Sequence, residues 1–270
     1  MTVPRALTVA GSDCSGGAGI QADLKTFHAF GVYGMSAVTA VVAENTVGVQ
    51  GWREVEPAFV AEQIASCLSD IGADAVKTGM LVNAAVVEAV AGALRRHSVP
   101  FLVVDPVMRA KSGDPLIAPS AVAALVEKIF PLAEVVTPNV PEAEALTGTA
   151  LKTEGDFRRA AEAIRALGPK VVVLKGGHSP LNPPGLSRDF VWDGRNWEFL
   201  EGPRSPDRNT HGTGCTFSAA VAAGLALGLE VGEALRRAKA YVSEAIRTAP
   251  DLGRGHGPVN HWAGGRSEKK

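Results

Sequence analysis

A glycine-rich stretch in the last quarter of the chain has the composition of an anion-binding turn. Residues 209–216 read NTHGTGCT and lead directly into an Ala-rich stretch at helical spacing. Small residues at the start of a helix leave consecutive backbone N–H groups accessible, and the helix dipole favours an anion there. Gly212, Thr213 and Gly214 are therefore predicted to hold a phosphate, and Cys215 is predicted to have a lowered pKa with thiolate character. The alternative is a small-residue helix start in which Cys215 is a buried space filler.

A second glycine loop lies near the N-terminus. Residues 17–22, GAGIQA, fit the GxGxxA pattern of a dinucleotide-binding loop, open a predicted helix and are followed by Glu44 about twenty residues later. In that pattern the first glycine directly follows a strand, whereas residues 11–16 intervene here. The loop therefore either binds a dinucleotide or is a turn that needs a positive φ and binds nothing. The P-loop sequence GxxxxGK[ST] occurs nowhere in the chain, which excludes that kind of nucleotide site.

Polar residues stand where several of the predicted strands end. Asp105 and Lys175 each end a short apolar run, and Asn139 and Glu142 follow another. Ligands of open α/β sheets bind beyond the carboxyl ends of the strands, so these side chains are predicted to converge. Carboxylate and amide oxygens suit Mg²⁺, and the lysine can meet a phosphate. Taken singly, each has a simpler interpretation: a helix N-terminal acid at Glu142, a solvated strand cap at Asp105 and a solvated lysine at Lys175.

The elements that must position these residues follow from the hydrophobic pattern. Short β-branched runs without strict polar alternation are typical of strands buried on both faces, and the intervening helical stretches imply right-handed crossovers. The pattern predicts an α/β sandwich with a mostly parallel sheet. Asp193-Gly194 between two aromatic-rich runs predicts a small β-hairpin near residues 189–200. The predicted strands are residues 6–10, 37–43, 74–78, 101–105, 135–138 and 171–175, and the predicted helices are residues 19–30, 57–71, 83–97, 120–129, 142–146, 154–167, 216–227 and 231–248.

The composition excludes several classes of protein. The chain has 270 residues with 27 basic and 28 acidic side chains, which argues against a general nucleic-acid or membrane-surface binder. Its longest apolar runs are shorter than the ~20 residues that span a bilayer. Three cysteines without a CxxC pair fit a reducing compartment, so a cytoplasmic location is predicted. We predict one domain over residues 1–262 and a flexible tail over residues 263–270, which are polar and glycine-rich.

Taken together, these segments resemble the ribokinase-like superfamily and, within it, the hydroxymethylpyrimidine/phosphomethylpyrimidine kinases of thiamine biosynthesis. They span nearly the whole chain in the order of that family, and jointly they are very specific. The resemblance implies a ribokinase-like three-layer α/β/α sandwich with a mostly parallel central sheet. The segments are Ala10–Asp13, Ser15–Thr26, Glu44–Thr46, Lys77–Leu81, Asp105–Met108, Lys111–Gly113, Thr137–Asn139, Pro141–Ala143, Lys175–His178, Gly212–Cys215 and Gly255–His261.

The resemblance also implies where the substrates bind. ATP would lie along the C-terminal half, with its γ-phosphate over Gly212–Cys215 and with Thr210 and Lys175 near its phosphates. Cys215 would accept the proton of the attacking hydroxymethyl group, where most ribokinase-like kinases carry an aspartate. The residues implied for Mg²⁺ are Asp105, Asn139 and Glu142. The residues implied to surround the pyrimidine are Gly11, Asp23, Glu44, Met80 and Val107.

Position 44 departs from the glutamine that is frequent in the family. An amide can donate to a ring nitrogen and accept from an exocyclic amine, whereas a carboxylate can only accept. Binding of the pyrimidine at Glu44 therefore requires a protonated ring nitrogen in addition to the amine, or a shifted position of the ring.

The predicted function is that of an ATP-dependent kinase that phosphorylates 4-amino-5-hydroxymethyl-2-methylpyrimidine and then its monophosphate. The resemblance further implies Mg²⁺, leaves open a monovalent cation, and implies a homodimer. One alternative is pyridoxal or pyridoxine kinase activity on the same fold. An NAD-dependent oxidoreductase that uses residues 17–22 and a non-catalytic binding module are alternatives of a different class.

Overall fold

The computed structural model describes residues 3–108, 117–177, 179, 181–205 and 209–264. Lys111–Gly113, His178 and residues 265–270 of the predicted tail lie outside these ranges. Within them the chain forms ten strands. They are β1 (Arg5–Ala10), β2 (Tyr33–Val38), β3 (Ala40–Asn45), β4 (Gly48–Glu54), β5 (Ala75–Thr78), β6 (Leu102–Val104), β7 (Val135–Val136), β8 (Val171–Leu174), β9 (Leu186–Trp192) and β10 (Trp197–Pro203).

Eight of the strands form one twisted sheet in the order β10-β9-β8-β7-β6-β5-β1-β2. The six strands from β8 to β2 are parallel, and β9 and β10 add an antiparallel edge. Every residue of β5, β6, β7 and β8 is buried, as expected for parallel strands covered on both faces. The chain leaves β1 to one side towards β2 and later returns to its other side with β5. The sheet therefore reverses its winding beside β1, where α/β proteins bind ligands.

Helices cover both faces of the sheet, which makes three layers. One apolar core joins the sheet to the helices that include Ile64, Val86 and Phe157, and a second joins the opposite face to those that include Phe27 and Ala220. The helices are α1 (Gly19–Ala29), α2 (Pro57–Asp70), α3 (Ala84–Arg96), α4 (Pro119–Ala124), α5 (Val140–Thr147), α6 (Glu154–Ala166), α7 (Thr213–Ala226) and α8 (Val231–Arg247). Within the described ranges, none of them is both long enough and apolar enough to cross a bilayer. The α/β/α sandwich expected from the sequence is confirmed.

Helix α7 is the central helix of its layer. All its residues from Thr216 to Ala226 are buried, which explains its alanine-rich composition: larger side chains would not fit against α1, α8 and the sheet. The helix begins at Thr213, three residues before the predicted start. Gly214 and Cys215 therefore lie in its first turn, which places them at the carboxyl edge of the sheet.

The predicted strand over residues 37–43 is wrong as a single element. The chain leaves the main sheet after Val38, and residues from Ala40 onwards pair with β4 in a separate two-stranded sheet. The break is at Thr39, which is fully buried: its N–H donates to Ala10 O (3.0 Å) and its hydroxyl donates to Met80 O (2.6 Å). These tertiary hydrogen bonds redirect a continuous β-branched run that local pattern alone assigns to one strand. The result is a hairpin that projects Glu44 over the carboxyl edge of the sheet.

The predicted hairpin near residues 189–200 is confirmed, with β9 and β10 as its strands. Trp192 and Trp197 are paired across it, and their rings stack at 4.6 Å. The predicted tail differs at its first residue, because Ala263 packs against the core formed with α1, α7 and α8.

Candidate active site

A cavity of about 580 Å³ lies along the carboxyl edge of the sheet, between the β3–β4 hairpin and α8. Both glycine loops and the ends of β5, β6, β7 and β8 line it, so the predicted convergence of strand-end residues occurs. Asp23 is the one predicted site residue that does not line the cavity. The predicted residues that do line it are Gly11, Glu44, Met80, Asp105, Val107, Asn139, Glu142, Lys175, Thr210, Gly212, Thr213, Gly214 and Cys215.

The second glycine loop ends in a helix start that suits an anion. Gly212 has a φ of 77°, a left-handed conformation that glycine adopts without strain, and a Cβ there would collide with Gly17 O. The N–H groups of Gly214 and Cys215 lie in the first turn of α7, where the helix itself supplies no acceptor. The Thr213 N–H was also predicted to bind the phosphate, but in the structure it donates to Thr210 O at 3.2 Å.

A cation and a carboxylate face this helix start. A Cβ on Gly214 would lie 3.2 Å from Lys175 Nζ and 3.6 Å from Asp105 Oδ2. Lys175 Nζ donates to Asp105 Oδ1 at 2.8 Å, and Asp105 also accepts from the hydroxyls of Thr137 and Ser218. Burial alone would lower the pKa of Lys175, but attraction to Asp105 and Glu142 outweighs it and raises the pKa. A positively charged lysine therefore stands beside the predicted phosphate site.

Asn139 and Glu142 form the N-terminal cap of α5. The Asn139 N–H donates to Glu142 Oε2 (2.8 Å), and the Glu142 N–H donates to Asn139 Oδ1 (2.9 Å). The simpler structural role considered for Glu142 is thus present. Burial, together with the charge of Asp105, raises the pKa of Glu142 to about 7 against the opposing attraction of Lys175. The carboxyl groups of Asp105 and Glu142 beside Lys175 form an oxygen donor set that fits Mg²⁺, and a bound cation would favour the ionised form of Glu142.

The thiol of Cys215 does not have the predicted lowered pKa. Burial raises its pKa to about 11, because removing the thiolate from water costs more than the attraction of the nearby Lys77 ammonium returns. The charges of Asp23 and Asp105 raise the pKa further, and a hydrogen bond from the backbone of Gly19 opposes the rise. Cys215 is therefore a neutral thiol at neutral pH.

Asp23 lies behind the cavity rather than in it. Its carboxylate is fully buried, accepts a hydrogen bond from Thr8 Oγ1 (2.6 Å), and pairs with Lys77 Nζ at 2.8 and 3.0 Å. Burial would lower the pKa of Lys77, but the Asp23 charge outweighs it and raises the pKa. Lys77 was not predicted as a site residue, although a lone lysine within a buried strand was a signal for it. Its buried ammonium lines the cavity where Asp23 had been predicted.

The first glycine loop holds an anion that belongs to the chain itself. The Asp13 carboxylate accepts hydrogen bonds from the N–H groups of Ser15 (2.7 Å), Gly17 (3.0 Å) and Ala18 (2.7 Å). These amides would have bound the pyrophosphate of a dinucleotide, so the dinucleotide interpretation fails. The alternative of a turn that requires positive φ matches Gly16 (80°) and Gly19 (55°).

The first glycine loop also has a structural function, because its residues contact the second glycine loop. His211 Nε2 lies 2.9 Å from Asp13 Oδ2, and a Cβ on Gly17 would collide with the His211 ring. Neither Asp13 nor His211 was predicted as a site residue from the sequence. Each stands beside glycines in one of the two loops, which was the available signal.

The far end of the cavity, beside α8, has both apolar and charged side chains. Val242, Ile246 and Pro203 line it, together with a buried ion pair in which Lys239 Nζ meets Asp189 Oδ2 at 2.8 Å. Asp189 also accepts the Gly176 N–H at 2.9 Å, which ties β9 to the turn after β8. The sequence analysis missed this end. Only the topology brings β9 and α8 together.

The cavity thus has three regions: one under the β3–β4 hairpin that includes Glu44, a centre with the first-turn amides of α7 and Lys175, and one beside α8 with apolar and charged side chains. A mostly parallel α/β/α sandwich with this arrangement at its carboxyl edge is the architecture expected of a ribokinase-like protein.

Comparison with known proteins agrees with this class. A family model described as phosphomethylpyrimidine kinase matches residues 13–260. A hydroxymethylpyrimidine/phosphomethylpyrimidine kinase of Streptomyces coelicolor is 50% identical over 97% of this chain and 96% of its own length. A thiamine biosynthesis bifunctional protein of Geobacter sulfurreducens is 52% identical over 94% of this chain, which covers 51% of that longer protein. The structure of an ADP complex of Bacillus subtilis pyridoxal kinase has a TM-score of 0.89 and 42% identity, over 97% of this chain and 98% of that one.

The match over nearly the full length, at about half the residues identical, shows that the chain belongs to the phosphomethylpyrimidine kinase family.

Proposed function

We propose that this enzyme transfers the γ-phosphoryl group of ATP to 4-amino-5-hydroxymethyl-2-methylpyrimidine and then to the monophosphate. One observation carries the proposal. The start of α7 faces Lys175 and Asp105 at the centre of the cavity, between the region that includes Glu44 and the region beside α8. The acceptor would occupy the first region and the nucleotide the second, so their reacting groups would meet over Gly212–Cys215.

Phosphoryl transfer requires alignment and stabilisation of charge rather than covalent help from the protein. The N–H groups of Gly214 and Cys215 would hold the transferred group, and Lys175, at 2.8 Å from Asp105, would balance its charge. Mg²⁺ bound through Asp105 and Glu142, with Asn139 as the cap that holds Glu142, would supply further neutralisation of the phosphates. Gly11, Met80 and Val107 would contact the pyrimidine ring.

The two transfers place different demands on a base. An alcohol must lose a proton as it attacks, whereas a phosphate monoester is already anionic at neutral pH. Cys215 would accept the alcohol proton as a thiolate, and the buried Lys77 ammonium, whose charge favours the thiolate, would assist its formation. Asp23, paired with Lys77 at 2.8 Å, would then position that ammonium rather than bind the substrate.

A second candidate is pyridoxal or pyridoxine kinase activity. It is favoured by the likeness to Bacillus subtilis pyridoxal kinase, at a TM-score of 0.89 and 42% identity. The acceptor would again present a hydroxymethyl group on a nitrogen-containing ring.

The deciding experiment measures ATP consumption with three acceptors side by side: hydroxymethylpyrimidine, its monophosphate and pyridoxine. The proposal expects turnover with both pyrimidines and a much lower kcat/KM with pyridoxine. Turnover with pyridoxine alone would replace the proposal by the second candidate, and ATP consumption with none of the three would refute both. Removing Mg²⁺ with a chelator is expected to abolish turnover, and adding K⁺ to a Na⁺ buffer tests for a monovalent cation.

The proposal also includes a homodimer and a cytoplasmic location, both of which rest on the family resemblance and composition. Light scattering of the purified protein tests the oligomeric state, with a mass of twice 28.0 kDa expected.

A further inference from the structure

Two carboxyl groups, Asp13 and Glu44, stand together at the acceptor end of the cavity. Together with His211 they offer oxygen and nitrogen atoms that all lie within 4.8 Å of one another. Asp13 comes from the first glycine loop, Glu44 from β3 and His211 from the second glycine loop, so three separate segments build the cluster. Two carboxyls this close do not both ionise readily, and their surroundings decide which one keeps a proton.

The surroundings favour an ionised Asp13. Its carboxylate accepts from three backbone N–H groups at 2.7 to 3.0 Å and lies 2.9 Å from His211 Nε2. Burial opposes ionisation, but the hydrogen bonds from His211, Ser15 and Ala18 outweigh it and lower the pKa of Asp13 below its usual range. The acceptors of Asp13 are therefore committed to donors of the protein itself, which argues against a metal ion bound by this cluster.

The same surroundings favour a proton on Glu44. Burial, the adjacent Asp13 charge and a side-chain hydrogen bond with Asp13 raise its pKa to about 7, with the charge of His211 in opposition. Among the described residues, these are the charged groups that act on the Glu44 carboxyl. The nearby Cys14 thiol bonds the backbone of Glu44, donating to its carbonyl oxygen at 3.2 Å, and leaves the carboxyl to the cavity.

The position of Glu44 makes this proton useful. Glu44 lines the acceptor end of the cavity beside Gly11, Val42 and Met80, which offer apolar surface and backbone to a flat ring. A neutral carboxylic acid has one O–H donor and one carbonyl acceptor, the same pair that an amide offers. When its O–H turns from Asp13 to the ligand, the protonated side chain can meet a ring nitrogen and an exocyclic amine at once, which an ionised carboxylate cannot.

We propose that Glu44 recognises the aminopyrimidine as a neutral carboxylic acid, donating its O–H to a ring nitrogen and accepting from the exocyclic amine, with ionised Asp13 holding it in that form. This inference rests on the proposed function, because it takes the aminopyrimidine as the acceptor. Below neutral pH, Glu44 already has its proton, so binding of the neutral aminopyrimidine neither takes up nor releases a proton. Above it, the complex must take up a proton that the free enzyme has released.

The experiment measures the Kd of hydroxymethylpyrimidine by calorimetry, for the wild-type enzyme and Glu44→Gln, across the pH range. With a pKa of about 7 at Glu44, the wild-type Kd is expected to rise about 30-fold between about pH 6 and about pH 8.5. The Glu44→Gln enzyme retains Asp13 and His211 but always has its donor, so its Kd is expected to change less than about twofold. Titration of the ligand itself affects both enzymes equally and cancels in the comparison.

The ultraviolet spectrum of the bound pyrimidine then locates the proton, with the free compound in acid and at neutral pH as standards. A neutral ring in the wild-type complex supports the inference. A protonated ring bound to an ionised Glu44 overturns it, as do parallel pH profiles for the wild type and Glu44→Gln. Failure to bind the pyrimidine at any pH, in an enzyme that still binds ATP, would instead refute the proposed function. These two failures are therefore distinguishable.

Discussion

The proposed role of Cys215 has a consequence that can be measured in the pH dependence of the two transfers. Burial raises the pKa of the thiol to about 11, so at about pH 7 only ~10⁻⁴ of the molecules carry a thiolate. While the pH is below that pKa, each increase of one pH unit raises the thiolate fraction about tenfold, so a step that needs the thiolate as its base should become about tenfold faster. The kcat for the alcohol is therefore expected to rise about 100-fold between about pH 7 and about pH 9.

The second transfer is the internal control. The monophosphate uses the same enzyme, the same ATP and the same helix start, but it has no proton to lose, so its kcat should change less than about threefold over this range. Both rates are measured at saturating acceptor, so that weaker binding at Glu44 at high pH does not enter. Cys215→Ala and Cys215→Ser test the residue directly. Serine preserves a small hydroxyl group but is a still weaker acid, so both variants are expected to lose about 100-fold or more on the alcohol.

Several outcomes would refute this reasoning. Parallel pH profiles for the two acceptors would show that the thiol does not act as a base. A Cys215→Ser enzyme with near wild-type kcat on the alcohol, or a Cys215→Ala enzyme with the same pH slope, would do so as well. Equal losses on both acceptors would assign Cys215 to positioning the phosphoryl group.

Three further predictions concern the site and its support. Asp23→Ala should lower the free energy of unfolding by about 3–5 kcal/mol, because it leaves the fully buried Lys77 ammonium unpaired. The Asp23→Leu/Lys77→Met double variant removes both charges, so its urea denaturation should show a smaller loss. An equal loss would contradict the unpaired charge as the cause. Gly214→Val should lower the rates of both transfers by about 100-fold, since its side chain would project towards Lys175 Nζ and fill the phosphate site. Gly214→Ala is the milder control. Unchanged rates would refute the assignment of the second glycine loop to the phosphate. Burial, with smaller effects of nearby cationic groups, lowers the pKa of His261 to about 4, so its contribution to stability is present above about pH 6.5 and is lost as the pH falls towards about 4. Denaturation at several pH values should show this loss in the wild type and a weaker one in His261→Gln.

Much of the fold could be predicted from local pattern. Buried strands such as β5 and β8 are short apolar runs, and the helices between them have clear amphipathic or alanine-rich spacing. The β3–β4 hairpin was the exception: residues 37–43 were predicted as one strand, and β4 (Gly48–Glu54) was not predicted. The β-branched run over residues 37–43 is continuous, and the break at Thr39 comes from hydrogen bonds to Ala10 and Met80, which are far away in sequence. The residues next to Thr39 in the sequence therefore do not indicate these hydrogen bonds.

The candidate site shows the same division. The residue types and spacing of the second glycine loop, and the polar residues at the strand ends, indicated which segments would meet at the carboxyl edge. The protonation states of these residues could not be predicted from their types and spacing. The pKa of Cys215 was expected to be lowered by the helix dipole, yet the depth of burial decides it and raises it.

By itself, the sequence determined the order of the helices and of most main-sheet strands, the two glycine loops and the set of polar residues beyond the strands, because these depend on local conformational preferences and on one edge shared by parallel strands. Only the tertiary structure decided that Asp13, rather than a dinucleotide, occupies the first loop, that Asp23 supports Lys77 from behind the cavity, and that Glu44 stands against an ionised neighbour. The reason is physical. Charge states and partners depend on distance and exposure to water, and residues separated by tens or hundreds of positions set both of these.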